Sequence, residues 1–192
     1  MNILLIARVI SILLLIIAGF MIFPVFFAIY YGEYSVLSSF AVPVAAVILL
    51  FIAIRIITHG SSGKNLSTKD GFLFVTLSWV SASFIGCIPF YLSGSIPSLT
   101  DAFFETMSGF TTTGASILTN IEVLPKSILF WRSLTHWLGG MGIVVLTVAI
   151  FPLLGIGGLQ LIKAEAPGPS VDKITPKIAG TAKILWMIYL TL

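Results

Sequence analysis

The sequence predicts an all-α polytopic membrane protein: an N-terminal helix pair, one unit of two spanning helices with a short re-entrant helix between them, and the start of a second unit. Three observations predict this class. Apolar residues make up 58% of the 192 residues, charged residues make up 9%, and mean hydropathy is +1.12. A single soluble core of this size could not cover so much apolar surface. Most of the chain is therefore expected in lipid, which disfavours a soluble enzyme and a disordered tail.

The first three apolar runs are each long enough to cross a bilayer. They cover residues 9–31, 36–57 and 71–92. Pro24 is expected to kink the first run, because proline has no N–H to donate within a helix. In the third run, Ser78, Ser81 and Ser83 indicate a face that is turned toward protein. A polar connector, 58–70, separates the second run from the third.

The stretch that follows the third run is too short to span. Residues 101–110 have a helical pattern, yet at about 1.5 Å per residue they cover about 15 Å, half of a hydrocarbon core of about 30 Å. A polar run, 111–116, follows them, and a further long apolar run covers 127–154. Irregular backbone at membrane depth is tolerated only where it is buried in protein or lines water. The sequence therefore predicts a half-helix that ends near the middle of the membrane, followed by a segment that returns outward.

This arrangement has the composition of a cation-binding turn. The C-terminal end of a helix carries a partial negative charge, and an extended segment beside it can offer carbonyl oxygens that replace the hydration shell of a monovalent cation. The candidate ligands are the backbone oxygens of Thr111, Thr112, Thr113 and Gly114. Gly114 lacks a Cβ and can adopt a positive φ, which would turn its carbonyl group. The alternative is a surface loop between two ordinary helices, and the apolar side chains of 103–110 argue against it.

The half-helix carries two acidic residues, Asp101 and Glu105, that allow three interpretations. Their i, i+4 spacing places them on one helix face, where they could form a metal site or an acid–base pair, although no further ligands complete such a site. Acidic residues in the first turns of a helix are stabilised by its positive end. The two carboxylates could also enrich cations at the outer mouth.

Arg132 lies about as deep in its span as Glu105 lies in the half-helix, roughly 7–8 Å below the outer surface. We expect these two residues to pair, because charges at membrane depth usually find partners. His136, one turn beyond Arg132, is interpreted as a hydrogen-bonded packing residue rather than a proton carrier or a ligand. Three nearby glycines are interpreted as close-packing sites. They are Gly139, Gly140 and Gly142.

Loop charges orient the chain. The basic connectors carry Arg55, Lys64, Lys69, Lys163, Lys173 and Lys177. The opposite side carries Glu33, Asp101, Glu105 and Glu122, with Lys126 beside them. The positive-inside rule places the N-terminus and the basic connectors in the cytoplasm. The net charge of +3 is therefore explained by membrane orientation, and no nucleic-acid partner is expected.

Two stretches carry a specific pattern: residues 101–116 read DAFFETMSGFTTTGAS, and residues 130–146 read FWRSLTHWLGGMGIVVL. They resemble the first pore repeat of the Trk/Ktr superfamily of potassium uptake proteins. The resemblance covers about residues 66–176, and the two spans before it are similar to the extra N-terminal helix pair of the TrkH-like branch. Members of the superfamily carry four helix–pore–helix repeats, assemble as dimers and couple to a cytosolic nucleotide-binding regulatory subunit.

The resemblance implies potassium uptake across the cell inner membrane by a multi-pass protein that is not an enzyme. Potassium is then the transported substrate, and no organic cofactor is expected. The backbone of Thr111, Thr112, Thr113 and Gly114 would supply one of four walls of a selectivity filter, with Asp101, Glu105 and Arg132 at the outer mouth or supporting the pore helix. The gating loop that the family carries in a later repeat is absent from this sequence. One wall does not make a pore, so this chain alone is not expected to conduct.

The predicted organisation has four parts. Residues 1–65 form the N-terminal two-helix region, 66–160 the first repeat, 161–177 a cytoplasmic connector and 178–192 the truncated first helix of a next repeat. The short last run suggests a piece of a longer protein. Two alternatives remain open: a tetrameric cation channel with one repeat per chain, and an intramembrane enzyme that uses Asp101, Glu105 and His136.

Overall fold

The fold is a set of packed helices, known from a computed structural model that describes residues 3–58 and 68–140 and the single residues 142, 187 and 191. Its helices are α1 (Ile3–Phe20), α2 (Ile22–Tyr30), α3 (Leu37–Ile57), α4 (Thr68–Leu92), α5 (Leu99–Phe110) and α6 (Lys126–Gly140). A single 3₁₀ turn, Tyr34–Val36, precedes α3. All regular structure in the described residues is helical, which confirms the predicted class. The second half of the 127–154 run, the connector 161–177 and nearly all of 178–192 lie outside the described residues.

Three stretches of the described residues are long and apolar enough to cross a membrane: Ile3–Tyr30, Tyr34–Ile57 and Lys69–Leu92. The first combines α1 and α2 and begins six residues before the predicted start. It is interrupted at Met21, one turn before Pro24. Because Pro24 has no N–H, the carbonyl of Phe20 receives no helical hydrogen bond at this point. The expected proline effect is therefore present, and the break falls on the N-terminal side of the proline.

The spanning helices pack around α1, which contacts both α3 and α4. Its buried side chains include Leu13, Leu14 and Ile17, which belong to the same buried apolar cluster as Phe40 of α3. Many of the large apolar side chains of α3 stay exposed, Leu49 among them. This apolar exposure is what a helix in contact with lipid requires.

The short helix α5 begins at Leu99, two residues before the predicted start, because Ser98 caps it. Ser98 has extended backbone, and its side chain accepts a hydrogen bond from the backbone N–H of Asp101 at 3.3 Å. A capping serine of this kind supplies an acceptor for an N–H that has no partner within the helix. With twelve residues, α5 is about 18 Å long and remains too short to span. The predicted short helix is confirmed, and its depth in a membrane stays a prediction.

A second cap joins the N-terminal hairpin, formed by α1, α2 and α3, to α6. The carboxylate of Glu33, in the loop between α2 and α3, accepts hydrogen bonds from the backbone N–H of Lys126 (2.6 Å), from the backbone N–H of Ser127 (3.0 Å) and from the hydroxyl of Ser127 (2.6 Å). Gly32, with φ +70°, makes the turn that presents this carboxylate. The negative group therefore lies at the positive end of α6.

The environment of Glu33 favours its ionised form. Burial raises the pKa of Glu33, but hydrogen bonds from Ser127 and Lys126 and the positive charge of Lys126 outweigh this effect. The pKa therefore lies below its ordinary value of 4.5. Since the folded pKa is lower than the unfolded one, the cap stabilises the fold fully above about pH 4.5. That stabilisation is lost as the pH falls through the folded pKa.

Replacing Glu33 by glutamine should lower the free energy of unfolding by about 1 kcal/mol near neutral pH, because the side-chain amide cannot accept from all three donors. The difference in melting temperature between the wild type and E33Q, measured in detergent, should be constant around neutral pH. It should shrink as the pH becomes acid. The control is E122Q, which removes a carboxylate from the exposed residue Glu122. A difference that persists unchanged at acid pH, or an equal loss in E122Q, would contradict the cap.

Candidate functional site

The helix α5 lies between α4 and α6 at distances that only glycine permits. A Cβ added at Gly86 of α4 would lie 2.8 Å from the Cγ2 of Thr106 and 2.9 Å from the ring of Phe110. On the other side, a Cβ at Gly109 would collide with the hydroxyl of Thr135 on α6. Any larger residue at Gly86 or Gly109 would push the short helix away from its neighbours. The position of α5 is therefore fixed on both sides.

The end of α5 packs against Gly139 of α6. A Cβ at Gly139 would collide with the carbonyl oxygen of Phe110 and lie 2.7 Å from its carbonyl carbon. This contact confirms close packing at Gly139. Gly140 is exposed, and Gly142 has a φ of +67°.

The chain reverses direction directly after α5. The N–H of Thr113 bonds to the carbonyl of Ser108 at 3.0 Å, and the N–H of Thr112 bonds to the carbonyl of Gly109 at 3.1 Å. Thr112 has a φ of +54°, a left-handed conformation that is strained for a β-branched residue. This pair of bonds around a left-handed residue is the Schellman ending of a helix, with threonine where glycine is usual.

The reversal determines which carbonyl oxygens remain open. Those of Met107, Ser108 and Gly109 accept from the turn, and that of Phe110 lies against Gly139. The next four carbonyl oxygens belong to Thr111, Thr112, Thr113 and Gly114. No donor among the described residues bonds to any of these four oxygens. The predicted ligand set is therefore a run of backbone that is exposed within the described part of the chain.

The segment after the turn, residues 111–117, runs back along α5, and we term it the return segment. The hydroxyl of Ser108 donates to the carbonyl of Ala115 at 2.6 Å. One turn earlier on α5, Glu105 accepts from the hydroxyl of Ser116 at 3.0 Å and from the N–H of Ile117 at 3.1 Å. As the return segment proceeds from residue 115 to residue 117, its partners on α5 move from Ser108 back to Glu105. The segment therefore returns along the short helix, as the sequence predicts.

The predicted pair between Glu105 and Arg132 forms. The Nε of Arg132 donates to a carboxylate oxygen of Glu105 at 2.7 Å, and Glu105 is only 2% exposed. A buried carboxylate needs both a counter-charge and hydrogen bonds to offset its loss of hydration. The Glu105 carboxylate has the guanidinium of Arg132, the hydroxyl of Ser116 and the N–H of Ile117. Glu105 lies beyond the first turn of α5, so these partners, rather than the helix start, are the contacts that its carboxylate makes.

The other polar candidates are separate from this cluster. Asp101 is exposed in the first turn of α5, where the positive helix end stabilises it. The Nδ1 of His136 lies 3.0 Å from the carbonyl of Arg132, which accepts only, so Nδ1 carries the proton. This bond fits the predicted packing role of His136. Among the described residues, no three His, Cys, Asp or Glu side chains are placed to hold a metal ion.

Two contributors to the site and one backbone conformation were not identified from the sequence. Ser108 and Ser116 attach the return segment, and Thr112 supplies its left-handed turn. The two serines could have been noticed because each is a small polar residue close to the three threonines, one before them and one after. No local pattern marks Thr112, because threonine rarely adopts a positive φ.

Comparison with known proteins places this site in a family. Residues 44–192 match the family model TrkH, described as a cation transport protein. The chain is 44% identical over 193 residues to the Trk system potassium uptake protein TrkH of Escherichia coli strain K12, which covers 97% of this chain and 39% of the relative. It is 54% identical over 130 residues to the protein of the same name in Vibrio parahaemolyticus, covering 67% of this chain and 27% of the relative. An uncharacterized cation transporter of Methanocaldococcus jannaschii is 39% identical over 177 residues, covering 91% of this chain and 35% of the relative.

The chain spans about two fifths of the length of the first of these relatives. The matched region contains α4, α5, the return segment and α6 in full. A transporter family also removes the alternative of an intramembrane enzyme built on Asp101, Glu105 and His136. The chain belongs to the TrkH family of cation transport proteins.

Proposed function

We propose that this protein takes up potassium ions across a membrane and that the return segment is one wall of its selectivity filter. The ligands are the backbone carbonyl oxygens of Thr111, Thr112, Thr113 and Gly114. The observation that carries the proposal is the set of four carbonyl oxygens, beside the end of a half-length helix, to which no donor in the described part of the chain bonds. The names of the Escherichia coli and Vibrio relatives support potassium as the ion.

The backbone conformation supports this role. Thr112 and Gly114 have positive φ, at +54° and +77°, whereas Thr113 between them does not. Alternation of handedness directs successive N–H groups to one side of the chain. The carbonyl groups then face the other side, where they replace the water around a dehydrated cation. The negative end of the α5 dipole adds a favourable field at the same point.

Selective permeation also requires that the ligands stay in place. A left-handed conformation at a β-branched residue costs on the order of 1–3 kcal/mol and persists only where its surroundings enforce it. At Thr112 the surroundings are the hydrogen bonds of the turn and the attachment of the return segment to Ser108 and Glu105. Passive uptake then needs each carbonyl site to bind the ion weakly enough to release it.

One return segment supplies one wall, and a closed filter needs three more. We propose that further repeats of the same kind supply them, in a protein that forms a homodimer and binds a cytosolic nucleotide-binding regulatory subunit. A tetrameric channel with one repeat per chain is the alternative, and its particle would hold four copies of this chain. The relatives, which extend far beyond the matched region, favour several repeats in one protein.

The proposed orientation has a cytoplasmic N-terminus in the cell inner membrane. Arg55 in the last turn of α3 and Lys69 in the first turn of α4 lie at one end of the helices. Glu33 and Asp101 lie at the other end, which would face outward. In this arrangement residues 1–65 are the N-terminal helix pair, 66–160 the first repeat, 161–177 a cytoplasmic connector and 178–192 the start of the next repeat.

The proposal is tested in a chimera in which this chain replaces the matched segment of the Escherichia coli relative. In cells that lack other potassium uptake, the chimera should restore uptake of potassium. Gly114→Ala should reduce that uptake roughly tenfold, because a left-handed conformation costs any residue with a Cβ about 1–2 kcal/mol.

The matched control is Gly19→Ala in α1. A Cβ would meet no atom within 4 Å at either glycine, but only Gly114 has a positive φ. G19A should therefore leave uptake unchanged. A chimera that takes up no potassium, or a G114A variant as active as G19A, would contradict the proposed filter.

Exchanging the charges of Glu105 and Arg132 separates the ion pair from the attachment of the return segment. E105R and R132E should each destabilise the protein by about 3 kcal/mol, because each leaves a buried charge without its partner. The double variant should recover part of the melting temperature but not potassium uptake, since arginine offers no acceptor for the N–H of Ile117. A double variant that recovers none of the melting temperature, or that recovers full potassium uptake, would contradict this account.

A further inference from the structure

We infer that the N-terminal hairpin positions the filter wall through α6 and that Glu33 is the residue that anchors it. This inference rests on the proposed function for the meaning of the filter wall, but its structural content can be tested without transport. It assigns a role in the filter to a residue outside the pore repeat. The contacts that carry it lead from Glu33 through the outer half of α6 to the return segment.

The first contact in this path is the cap already described. Glu33 supplies the acceptors for the first two N–H groups of α6, those of Lys126 and Ser127. A helix start without acceptors loses its first turn readily, because those N–H groups have no partners within the helix. Glu33 therefore determines where α6 begins and holds that end against the hairpin.

Three successive residues of α6 then contact three different parts of the fold. The ring of Phe130 stacks on that of Phe27 in α2, with centroids 4.0 Å apart and planes at 15°. The Nε1 of Trp131 donates to the carbonyl of Gly86 in α4 at 2.9 Å, and Trp131 is fully buried. Arg132 bonds to Glu105 in α5. Successive residues point about 100° apart around a helix, so this turn is held on three sides.

The rotation and height of α6 therefore determine where the Arg132 guanidinium lies. Arg132 is six residues beyond Lys126, about 9 Å along the axis. If the first turn of α6 frays, α6 loses its attachment to Glu33, and the Arg132 side chain is held in place less firmly. The Glu105 carboxylate then loses the fixed position of its donor Arg132. Because the N–H of Ile117 bonds to the same carboxylate, that bond is weakened as well. Loosening at Glu33 should therefore reach the return segment.

The test is residue-resolved amide hydrogen exchange on the full chain in lipid nanodiscs, comparing the wild type with E33Q. E33Q should speed exchange about fivefold at Lys126 and Ser127, the loss expected for a missing cap. The positioning role predicts faster exchange at Ile117 as well, while amides in the middle of α1 are unchanged. The control E122Q removes a carboxylate from the same side of the protein and should change none of these rates.

Faster exchange at Lys126 and Ser127 with no change at Ile117 would overturn the inference, because it would make Glu33 a local cap only. If E33Q accelerates exchange throughout the chain, the milder variant Ser127→Ala decides. It removes one of the three hydrogen bonds to Glu33 and should affect Ile117 without affecting α1. An unchanged Ile117 in S127A would then reject the positioning role. Failure of the proposed function is seen separately, as a chimera that takes up no potassium.

Discussion

The carboxylate of Glu105 is the interaction on which the rest of the site depends. Irregular backbone that packs against helices is stable only if its polar groups find partners. Glu105 does this for the return segment by accepting from Ser116 and Ile117. Its own charge is tolerable because Arg132 pairs with it. The half-helix, the reversal and the open carbonyl oxygens are thus parts of one arrangement in which a buried ion pair holds an irregular segment.

Close packing complements this ion pair. Glycines at 86, 109 and 139 let α4 and α6 approach α5 so closely that any side chain would displace it. Dense packing of this kind restricts small displacements, since a shift must break many contacts at once. The left-handed turn at Thr112 is strained, and strain persists only in rigid surroundings. Packing on both sides of α5 and hydrogen bonds along the return segment together supply that rigidity.

Much of this fold follows from local properties of the sequence. The length of the apolar runs predicts the spans, the ten residues 101–110 are visibly too few to cross a bilayer, and equal depth predicts the pair of Glu105 with Arg132. Other features depend on contacts that no local pattern records. Glu33 and Lys126 are 93 residues apart, so only the packed structure brings the cap together. The left-handed Thr112 runs against the preference of its residue type. The earlier start of α5 depends on Ser98, one of several serines near the expected helix start.

The central claim is that the carbonyl oxygens of Thr111, Thr112, Thr113 and Gly114 contact the permeating ion. Rubidium or thallium can replace potassium and can be located by anomalous scattering in crystals of the transport-competent chimera. The account predicts an anomalous peak in direct contact with these oxygens, on the axis where the four walls meet. A structure in which the ions bind elsewhere, and in which these oxygens face bulk water or accept hydrogen bonds from other protein groups, would contradict it.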